Sequence, residues 1–161
     1  MNARLAAWLG LSALVVAFDQ ITKFWITARL TLGETLRMTP FFDLVLVHNR
    51  GAAFSFLSNA SGWQRWFFVV LAGAISAWLV VLLRRHARER WLPLSFALIL
   101  GGAVGNVIDR VSYGAVIDFL YFHIGRYGWP AFNVADSAIS VGVCVLVWEQ
   151  LMVHRRHQAA Q

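Results

Sequence analysis

Charged side chains are scarce in this sequence, and their scarcity narrows the class of protein. Only 14% of the 161 residues are Asp, Glu, Lys or Arg, whereas an average globular domain has about 25%. Hydrophobic residues make up 59% of the chain, and the mean hydropathy is +0.61. This balance excludes an ordinary water-soluble domain and predicts an integral membrane protein of one compact domain.

The signatures of several other chemistries are absent. Cys144 is the only cysteine, so an intrachain disulfide is impossible. The five histidines form no HExxH motif, and no glycine-rich loop ends in a lysine. The sequence therefore gives no sign of a zinc peptidase or of a nucleotide site, and we expect Cys144 to be a packing residue of the last span.

The net charge of +6 is concentrated at the ends of apolar segments. A basic protein can bind nucleic acid, but basic residues that flank apolar segments are typical of membrane topology. Arg4, residues 84–90 and residues 154–157 together carry seven arginines. Because positively charged loops stay in the cytoplasm, we expect both termini on the cytoplasmic side, and no nucleic acid partner.

Four long apolar segments are candidate membrane spans, at residues 5–28, 66–83, 91–109 and 134–153. The second has no charge over 18 residues, and a helix of that length crosses roughly 27 Å of hydrocarbon. The first also fits a cleaved signal peptide, but no small-x-small cleavage site follows it. It contains Asp19 and Lys23, which share a helix face in the order that favours an ion pair.

A different pattern occupies residues 31–62, between the first two spans. Pro40 argues against a continuous helix, and residues 41–47 are rich in the aromatic and β-branched side chains of strands. Residues 52–60 fit a short interfacial helix with an apolar side toward lipid. The sequence thus predicts an all-α four-helix membrane bundle with a small extracytoplasmic β-element, and a lid that hinges at Gly51.

Polar residues gather where the third and fourth spans meet water. Asn106, Asp109 and Arg110 end the third span, Asp118 follows in a short loop, and Asn133 and Asp136 open the fourth. Gly102, Asn106 and Arg110 step by four and share one helix face. Asn133 and Asp136 alone fit a helix N-cap with an acid in the first turn. Ionisable groups at membrane depth nevertheless indicate function by default.

Asp118 and Asp136 are the candidate catalytic pair. Two carboxylates that share one site hold a single proton near neutrality, because both cannot ionise easily. The ionised member can activate water while the protonated member donates to a carbonyl oxygen, as in aspartic peptide hydrolysis. We expect Asp136, beside a helix N-terminus, to carry the charge more often. Two alternatives remain, a small proton-coupled transporter that uses the pair as a relay and a non-enzymatic scaffold.

Four segments of the sequence resemble those of one bacterial family. They are DQITK at 19–23, HNRGAAFSF at 48–56, GGAVGNVIDRVSYGAVIDF at 101–119 and FNVADSAIS at 132–140. In this order, on a chain with four spans, they resemble the lipoprotein signal peptidases, which form the signal peptidase II family of inner-membrane aspartic peptidases. The resemblance covers the chain from Leu5 to Val153.

The resemblance implies a function and a set of site residues. Members of this family cleave prolipoproteins just before the cysteine that carries diacylglycerol, need no metal or other cofactor, and are inhibited by the cyclic peptide antibiotic globomycin. The matches of Asp118 and Asp136 are the catalytic pair. The matches that shape the site or contact the substrate are Asp19, Lys23, Asn49, Asn106, Asp109, Arg110 and Asn133. Gly102 is also a candidate, because it shares a helix face with Asn106 and Arg110. We expect an inner-membrane protein surrounded by membrane lipids, with its active site near the extracytoplasmic surface.

Overall fold

The computed structural model describes residues 3–51 and 62–159 of the chain. Within these residues, the helices are α1 (Ala3–Thr27), α2 (Trp63–His86), α3 (Trp91–Tyr113) and α4 (Val134–Ala159). The strands are β1 (Thr35–Arg37), β2 (Phe42–Asn49), β3 (Val116–Ile124) and β4 (Tyr127–Gly128). All four helices are long and apolar enough to cross a membrane. The predicted membrane bundle with a small β-element is confirmed, while the interfacial helix and lid predicted at 52–60 lie outside the described residues.

Helix α3 lies at the centre of the bundle. It packs against α1, α2 and α4. Within its most apolar 18-residue stretch, 50% of the residues are buried inside the protein, compared with 6% for α4. Glycines permit this position because they let neighbouring backbones approach closely. A Cβ on Gly101 would lie 2.8 Å from the Ser12 carbonyl oxygen of α1, and a Cβ on Gly102 would overlap the Ala135 carbonyl oxygen of α4.

Helix α4 corrects the expectation for Cys144, which is exposed rather than packed in the bundle. The helix meets α3 through a narrow face that includes Gly142, where a Cβ would lie 2.9 Å from the Ser95 carbonyl oxygen. Cys144 lies two residues further along, which is about 200° around a helix of 3.6 residues per turn. Its thiol therefore belongs to the outer face of α4.

The strands form one antiparallel sheet in the order β1-β2-β3-β4. Leu46 on β2 and both Ile117 and Phe119 on β3 are buried against Ile26 and Leu30 at the end of α1. Full burial of such a side chain contributes roughly 1.5–3 kcal/mol. This apolar cluster therefore fastens the sheet to the bundle.

Strand β3 corrects the predicted loop around Asp118. The run Val116–Ile124 is rich in β-branched and aromatic residues, which favour strands. It pairs with β2, so Asp118 lies opposite Val47 in a ladder. The chain turns directly after β2, where the Gly51 amide donates to Asn49 Oδ1 at 3.0 Å.

The two ends of the bundle differ in composition. At one end, the α2–α3 connection accepts hydrogen bonds from the start of α1: Arg4 Nη1 donates to the Arg88 carbonyl and Trp8 Nε1 to the Ala87 carbonyl, both at 3.2 Å. At the other end, the sheet covers the end of α1 and follows directly on α3. The arginine-rich connection and the sheet therefore lie at opposite ends.

Gly102→Ala should destabilise the protein, because the new Cβ must displace the α4 backbone at Ala135. Overpacking typically costs about 1–3 kcal/mol, so the detergent-solubilised variant should melt at a lower temperature. Gly73→Ala in α2 is the matched control, since nothing lies within 4 Å of its added Cβ. The control should melt at or slightly above the wild-type temperature. Equal melting of wild type and Gly102→Ala would contradict the close α3–α4 contact.

Candidate active site

Asp118 is held by an amide on each of its oxygens. Side chains alternate along a strand, so Ile117 and Phe119 enter the apolar cluster while Asp118 points the other way, toward a cavity. Asn49 Nδ2 donates to Oδ2 at 3.0 Å, and Asn133 Nδ2 donates to Oδ1 at 2.7 Å. The residue is only 2% exposed, so these amides replace the water that burial removes.

Asp136 is held by the cap of α4. Asn133 Oδ1 accepts a hydrogen bond from the Asp136 amide at 2.9 Å, and Asp136 Oδ2 accepts one from the Asn133 amide at 3.3 Å. This reciprocal pattern is a capping box made by Asn and Asp. Asp136 Oδ1 accepts a further bond from Asn106 Nδ2 at 2.8 Å. The N-cap expected from the sequence is therefore formed.

Asn133 brings the two carboxylates to one place. Its side-chain nitrogen lies 2.7 Å from Asp118 Oδ1, and its backbone nitrogen lies 3.3 Å from Asp136 Oδ2. The same side-chain nitrogen is 3.2 Å from the Ile117 carbonyl and 3.3 Å from Asn106 Oδ1, so it is fixed on several sides. Two acids that are 18 positions apart in the sequence thus share one polar neighbour and line the same cavity.

The cavity that both acids line has a volume of about 1180 Å³ and lies between the sheet, α3 and α4. Typical small-molecule pockets occupy about 300–1,000 Å³. In one direction this cavity follows α4 past Ser137, Ser140 and Val141, and in the other it follows β2 past Val45 and Asp43. Its size and its two arms fit a chain better than a compact small molecule.

Burial raises the pKa of the Asp118 carboxyl to about 7, and the neighbouring charge of Asp136 acts in the same direction. The amides of Asn49 and Asn133 act in the opposite direction, because they stabilise the ionised form, but they do not cancel the effect. Near neutral pH, Asp118 is therefore divided between its protonated and ionised forms. That Asp136 is the ionised member stays a prediction, and the raised pKa of Asp118 supports it.

A buried ion cluster supports the pair from the side of α1. Lys23 is the only lysine in the chain and is 2% exposed. Its Nζ lies 2.8 Å from Asp19 Oδ2 and 2.7 Å from Asp109 Oδ2. It also donates to Asn106 Oδ1 at 3.2 Å, and Asn106 in turn donates to Asp136. The predicted pairing of Asp19 with Lys23 is confirmed, and Asp109 completes a three-membered cluster.

The two acids of this cluster also fix the backbone that carries the candidate pair. Asp19 Oδ1 accepts from the Ala135 amide at 2.9 Å, in the first turn of α4. Asp109 Oδ2 accepts from the Ile117 amide at 3.1 Å, one residue before Asp118. The cluster therefore ties α1 to α4 and α3 to β3 at the two positions where the site needs them.

Arg110 holds the chain where it leaves β2. Its Nη2 donates to the Gly51 carbonyl at 3.0 Å, and its guanidinium lies over the Phe68 ring at 5.1 Å from the centroid. It also lines the cavity, together with Asn49 and Asn106. The Arg110 guanidinium is thus held beside Gly51 and places a positive charge at the wall of the cavity.

Other residues near the site were missed or have a supporting role. Gln20 was missed: its Nε2 lies 3.0 Å from Asp109 Oδ1 and 3.2 Å from the Gly105 carbonyl, and only its position next to Asp19 could have marked it. Gly102 serves the site indirectly, by admitting the first turn of α4. Within residues 3–51 and 62–159, no three His, Cys, Asp or Glu side chains are grouped so that they would hold a metal ion.

The fold and the site together define a class of protein. It is a membrane protein with several spans and with a pair of carboxylates joined through one amide, open to an elongated cavity at the sheet end of the bundle. Comparison with known proteins gives the family. The sequence profile of signal peptidase (SPase) II matches residues 11–152. The chain belongs to the signal peptidase II family, and it is therefore a peptidase and a bacterial membrane protein.

Individual relatives and solved structures agree with this assignment. The chain is 61% identical over 144 residues to a lipoprotein signal peptidase of Azoarcus sp. (strain BH72), covering 89% of this chain and 82% of the relative. For one from Burkholderia thailandensis the identity is 54% over 147 residues, with coverages of 91% and 89%. Two solved bacterial membrane enzymes superpose with TM-scores of 0.81 and 0.75, at 32% and 30% identity. Each superposition covers 91% of this chain, and 88% and 93% of the other chain, respectively.

Lys23→Met should prevent stable folding, because it leaves the carboxylates of Asp19 and Asp109 buried without their common cation. Removing one partner of a buried ion pair costs about 3–5 kcal/mol, so the variant should accumulate poorly in membranes and lose cooperative melting. Arg29→Met is the control, since Arg29 is exposed just beyond the same helix and lies over the Trp25 ring at 4.5 Å. A Lys23→Met protein that melts like wild type would show that the cluster is dispensable.

Proposed function

We propose that this chain is an intramembrane aspartic endopeptidase that removes the signal peptide from diacylglyceryl-modified prolipoproteins and cleaves just before the lipid-bearing cysteine. The linkage of Asp118 and Asp136 through Asn133, beside one cavity, is the observation that carries the proposal. Relatives with the name lipoprotein signal peptidase support the substrate class.

In the proposed reaction, Asp136 begins ionised and Asp118 begins protonated. Asp136 takes a proton from water, the water oxygen attacks the scissile carbonyl carbon, and Asp118 donates its proton to the carbonyl oxygen. When the tetrahedral intermediate collapses, Asp136 gives its proton to the leaving nitrogen as the C–N bond breaks, and Asp118 recovers its own. The products are a signal peptide with a new carboxyl group and a lipoprotein with a free amine on its cysteine.

The surroundings suit each acid to its role. Asp136 lies in the first turn of α4 and accepts hydrogen bonds from Asn106 Nδ2 and the Asn133 amide, which stabilise a negative charge. Asp118 is desolvated, and its pKa of about 7 leaves much of it protonated at neutral pH. Two carboxylates with different surroundings can therefore divide the acid and base roles.

The position of the cavity fits a substrate that is anchored in lipid. The arm along α4 passes Ile139 and Val141 within a helix that is apolar enough to span the membrane. We infer that the apolar signal peptide and the acyl chains stay in the bilayer while the bond to be cleaved reaches the carboxylates. A cyclic peptide inhibitor of the globomycin type would compete for the same cavity.

The membrane orientation follows from the distribution of arginines. The α2–α3 connection, residues 87–90, is rich in arginine and lies at the end opposite the sheet. If basic segments remain in the cytoplasm, both termini are cytoplasmic, and the carboxylates lie near the extracytoplasmic surface of the inner membrane. A proton relay would need groups along a path across the bilayer, whereas this pair lies at one end, so a transporter is the weaker alternative.

Asp118→Asn and Asp136→Asn should each abolish processing of a diacylglyceryl prolipoprotein. Loss of a general acid or base typically lowers the rate about 10²–10⁴-fold. Each asparagine keeps the shape and one acceptor oxygen but places an NH2 against one of the donors that hold the carboxylate. Melting of the purified proteins therefore checks that each variant is folded. Glu34→Gln is the control, because Glu34 is an exposed carboxylate near the sheet. Normal processing by either aspartate variant would exclude the pair.

Activity should fall as pH rises through about 7, because ionisation of Asp118 removes the proton that the carbonyl oxygen needs. The measurement is kcat/KM of the purified enzyme between about pH 5 and 9, which reports groups of the free enzyme. Because the pKa of Asp118 is higher in the folded protein than in the unfolded chain, protonation of Asp118 stabilises the fold at low pH. This stabilisation is lost as the pH rises from about 4 to about 7.

Thermal melting at the same pH values separates titration from unfolding. Above about pH 8 the contribution of Asp118 to stability is already lost, so melting should level off while activity stays low. A kcat/KM that stays constant up to pH 9 would contradict the assignment of Asp118 as the proton donor.

A further inference from the structure

The arm of the cavity that runs along β2 ends at a buried carboxylate that the proposed reaction does not use. Asp43 lines the cavity and is 8% exposed. Its Oδ1 is buried and has no hydrogen-bond partner among the residues that the structure describes. An unpaired buried acceptor is costly, at about 1–3 kcal/mol. Rotation of the Asp43 side chain toward the cavity that the residue lines would let a bound donor recover this cost.

The neighbours of Asp43 hold its side chain in place without supplying that donor. His123 Nε2 lies 3.1 Å from Asp43 Oδ2, but its orientation makes no hydrogen bond. Tyr121 is the cross-strand partner of Asp43, and its ring stacks on His123 at 5.5 Å. Gly128 makes room for the Tyr121 ring, because a Cβ there would overlap it. The Asp43 carboxylate thus lies beside His123, on the side of the sheet that also carries Tyr121.

Asp43 is too far from the catalytic pair to act in the chemistry. Asp118 lies opposite Val47, four residues along β2 from Asp43. At about 3.3 Å per residue, that separation is roughly 13 Å, and the separation of Asp118 from Tyr121 along β3 is roughly 10 Å. One continuous cavity nevertheless contains both carboxylates.

The part of the substrate that reaches Asp43 follows from this geometry. The signal peptide is apolar and remains in the bilayer, whereas the sheet lies beyond the ends of the helices. Only the polypeptide that follows the cleaved bond can therefore run along β2 and β3. An extended chain that covers roughly 10–13 Å brings its third to fifth residue to Asp43.

We propose that Asp43 forms a subsite that accepts a hydrogen bond from a backbone N–H of the substrate, three to five residues beyond the cleaved bond. This inference rests on the proposed function. Arg37 is the cross-strand partner of Asp43 on β1, so the subsite already has a cation nearby and does not select a basic side chain. A backbone donor is available from nearly every sequence, and lipoproteins of different sequence can use the same subsite.

The subsite makes cleavage depend on the length of the substrate. Synthetic diacylglyceryl prolipopeptides would end either two or six residues beyond the cleaved bond. Wild type should cleave the longer substrate with a kcat/KM about tenfold higher than the shorter one, because only the longer substrate reaches Asp43 and can donate to its charged group. Asp43→Ala should reduce the long-to-short ratio to about one, and Asp43→Asn, which keeps an acceptor oxygen, should retain part of it. Glu34→Gln should leave the ratio unchanged.

An ester scan of the substrate tests the hydrogen bond from the donor side. Each N–H at the third, fourth and fifth residues would be replaced in turn by an ester oxygen. One of the three esters should lower wild-type kcat/KM about tenfold and should have no effect on Asp43→Ala, since the two changes remove the same bond.

Each outcome decides one of the two claims. If wild type cleaves both lengths equally, or if none of the esters affects it, the Asp43 subsite is excluded while the peptidase function stands. If wild type cleaves none of these substrates, the proposed function itself fails. If Asp43→Ala does not fold, Asp43→Asn takes its place, and an ester effect as large as in wild type would then exclude Asp43 as the acceptor.

Discussion

The hydrogen bonds of Asn133 are the constraint on which the rest of the site depends. With its backbone amide and Oδ1 it closes a capping box with Asp136, and with Nδ2 it reaches Asp118. The cap fixes the point at which α4 begins, and the Nδ2 bond fixes β3 against that point. Because the two acids come from a helix and a strand of different sequence regions, no local structure alone would bring them together. The site forms only when the sheet docks on the bundle.

Charge balance explains why such a site needs the rest of the polar cluster. Lys23 and Arg110 offset part of the charge of Asp19, Asp109, Asp118 and Asp136, and these six residues together keep a formal excess of two negative charges if all are ionised. Backbone amides of Ala135 and Ile117 offset part of it by donating to Asp19 and Asp109. A proton retained on the Asp118–Asp136 pair removes one more charge. The ion cluster of Asp19, Asp109 and Lys23 keeps a formal charge of −1, which the two amides offset in part. The remaining repulsion acts on Asp118 and Asp136, the pair that we propose as catalytic.

How much the sequence predicts depends on how local each feature is. The spans follow from hydropathy, the Asp19–Lys23 pair from a spacing of four, and the N-cap from residues three apart, and all of them are present. Strand β3 was missed because Asp118 interrupts its apolar run, although its β-branched and aromatic residues favour a strand. Pairing with β2 completes it. Gln20 and Asp43 were missed for a related reason. Apart from the position of Gln20 next to Asp19, nothing in their own segments marks them, and their partners on α3 and β3 are long-range contacts.

Asn133 shows that one residue can both cap a helix and hold a carboxylate of the candidate site. A serine, threonine or aspartate would cap α4 about as well as an asparagine, since each supplies the acceptor oxygen that the Asp136 amide requires. A serine or threonine hydroxyl would have to donate to Asp118 from the same oxygen that caps the helix, whereas asparagine carries its acceptor and its donor on two atoms. An aspartate would also place a third carboxylate against the pair and oppose its remaining charge. Capping therefore explains why a short polar residue precedes α4, whereas only the contact with Asp118 explains why that residue carries an amide.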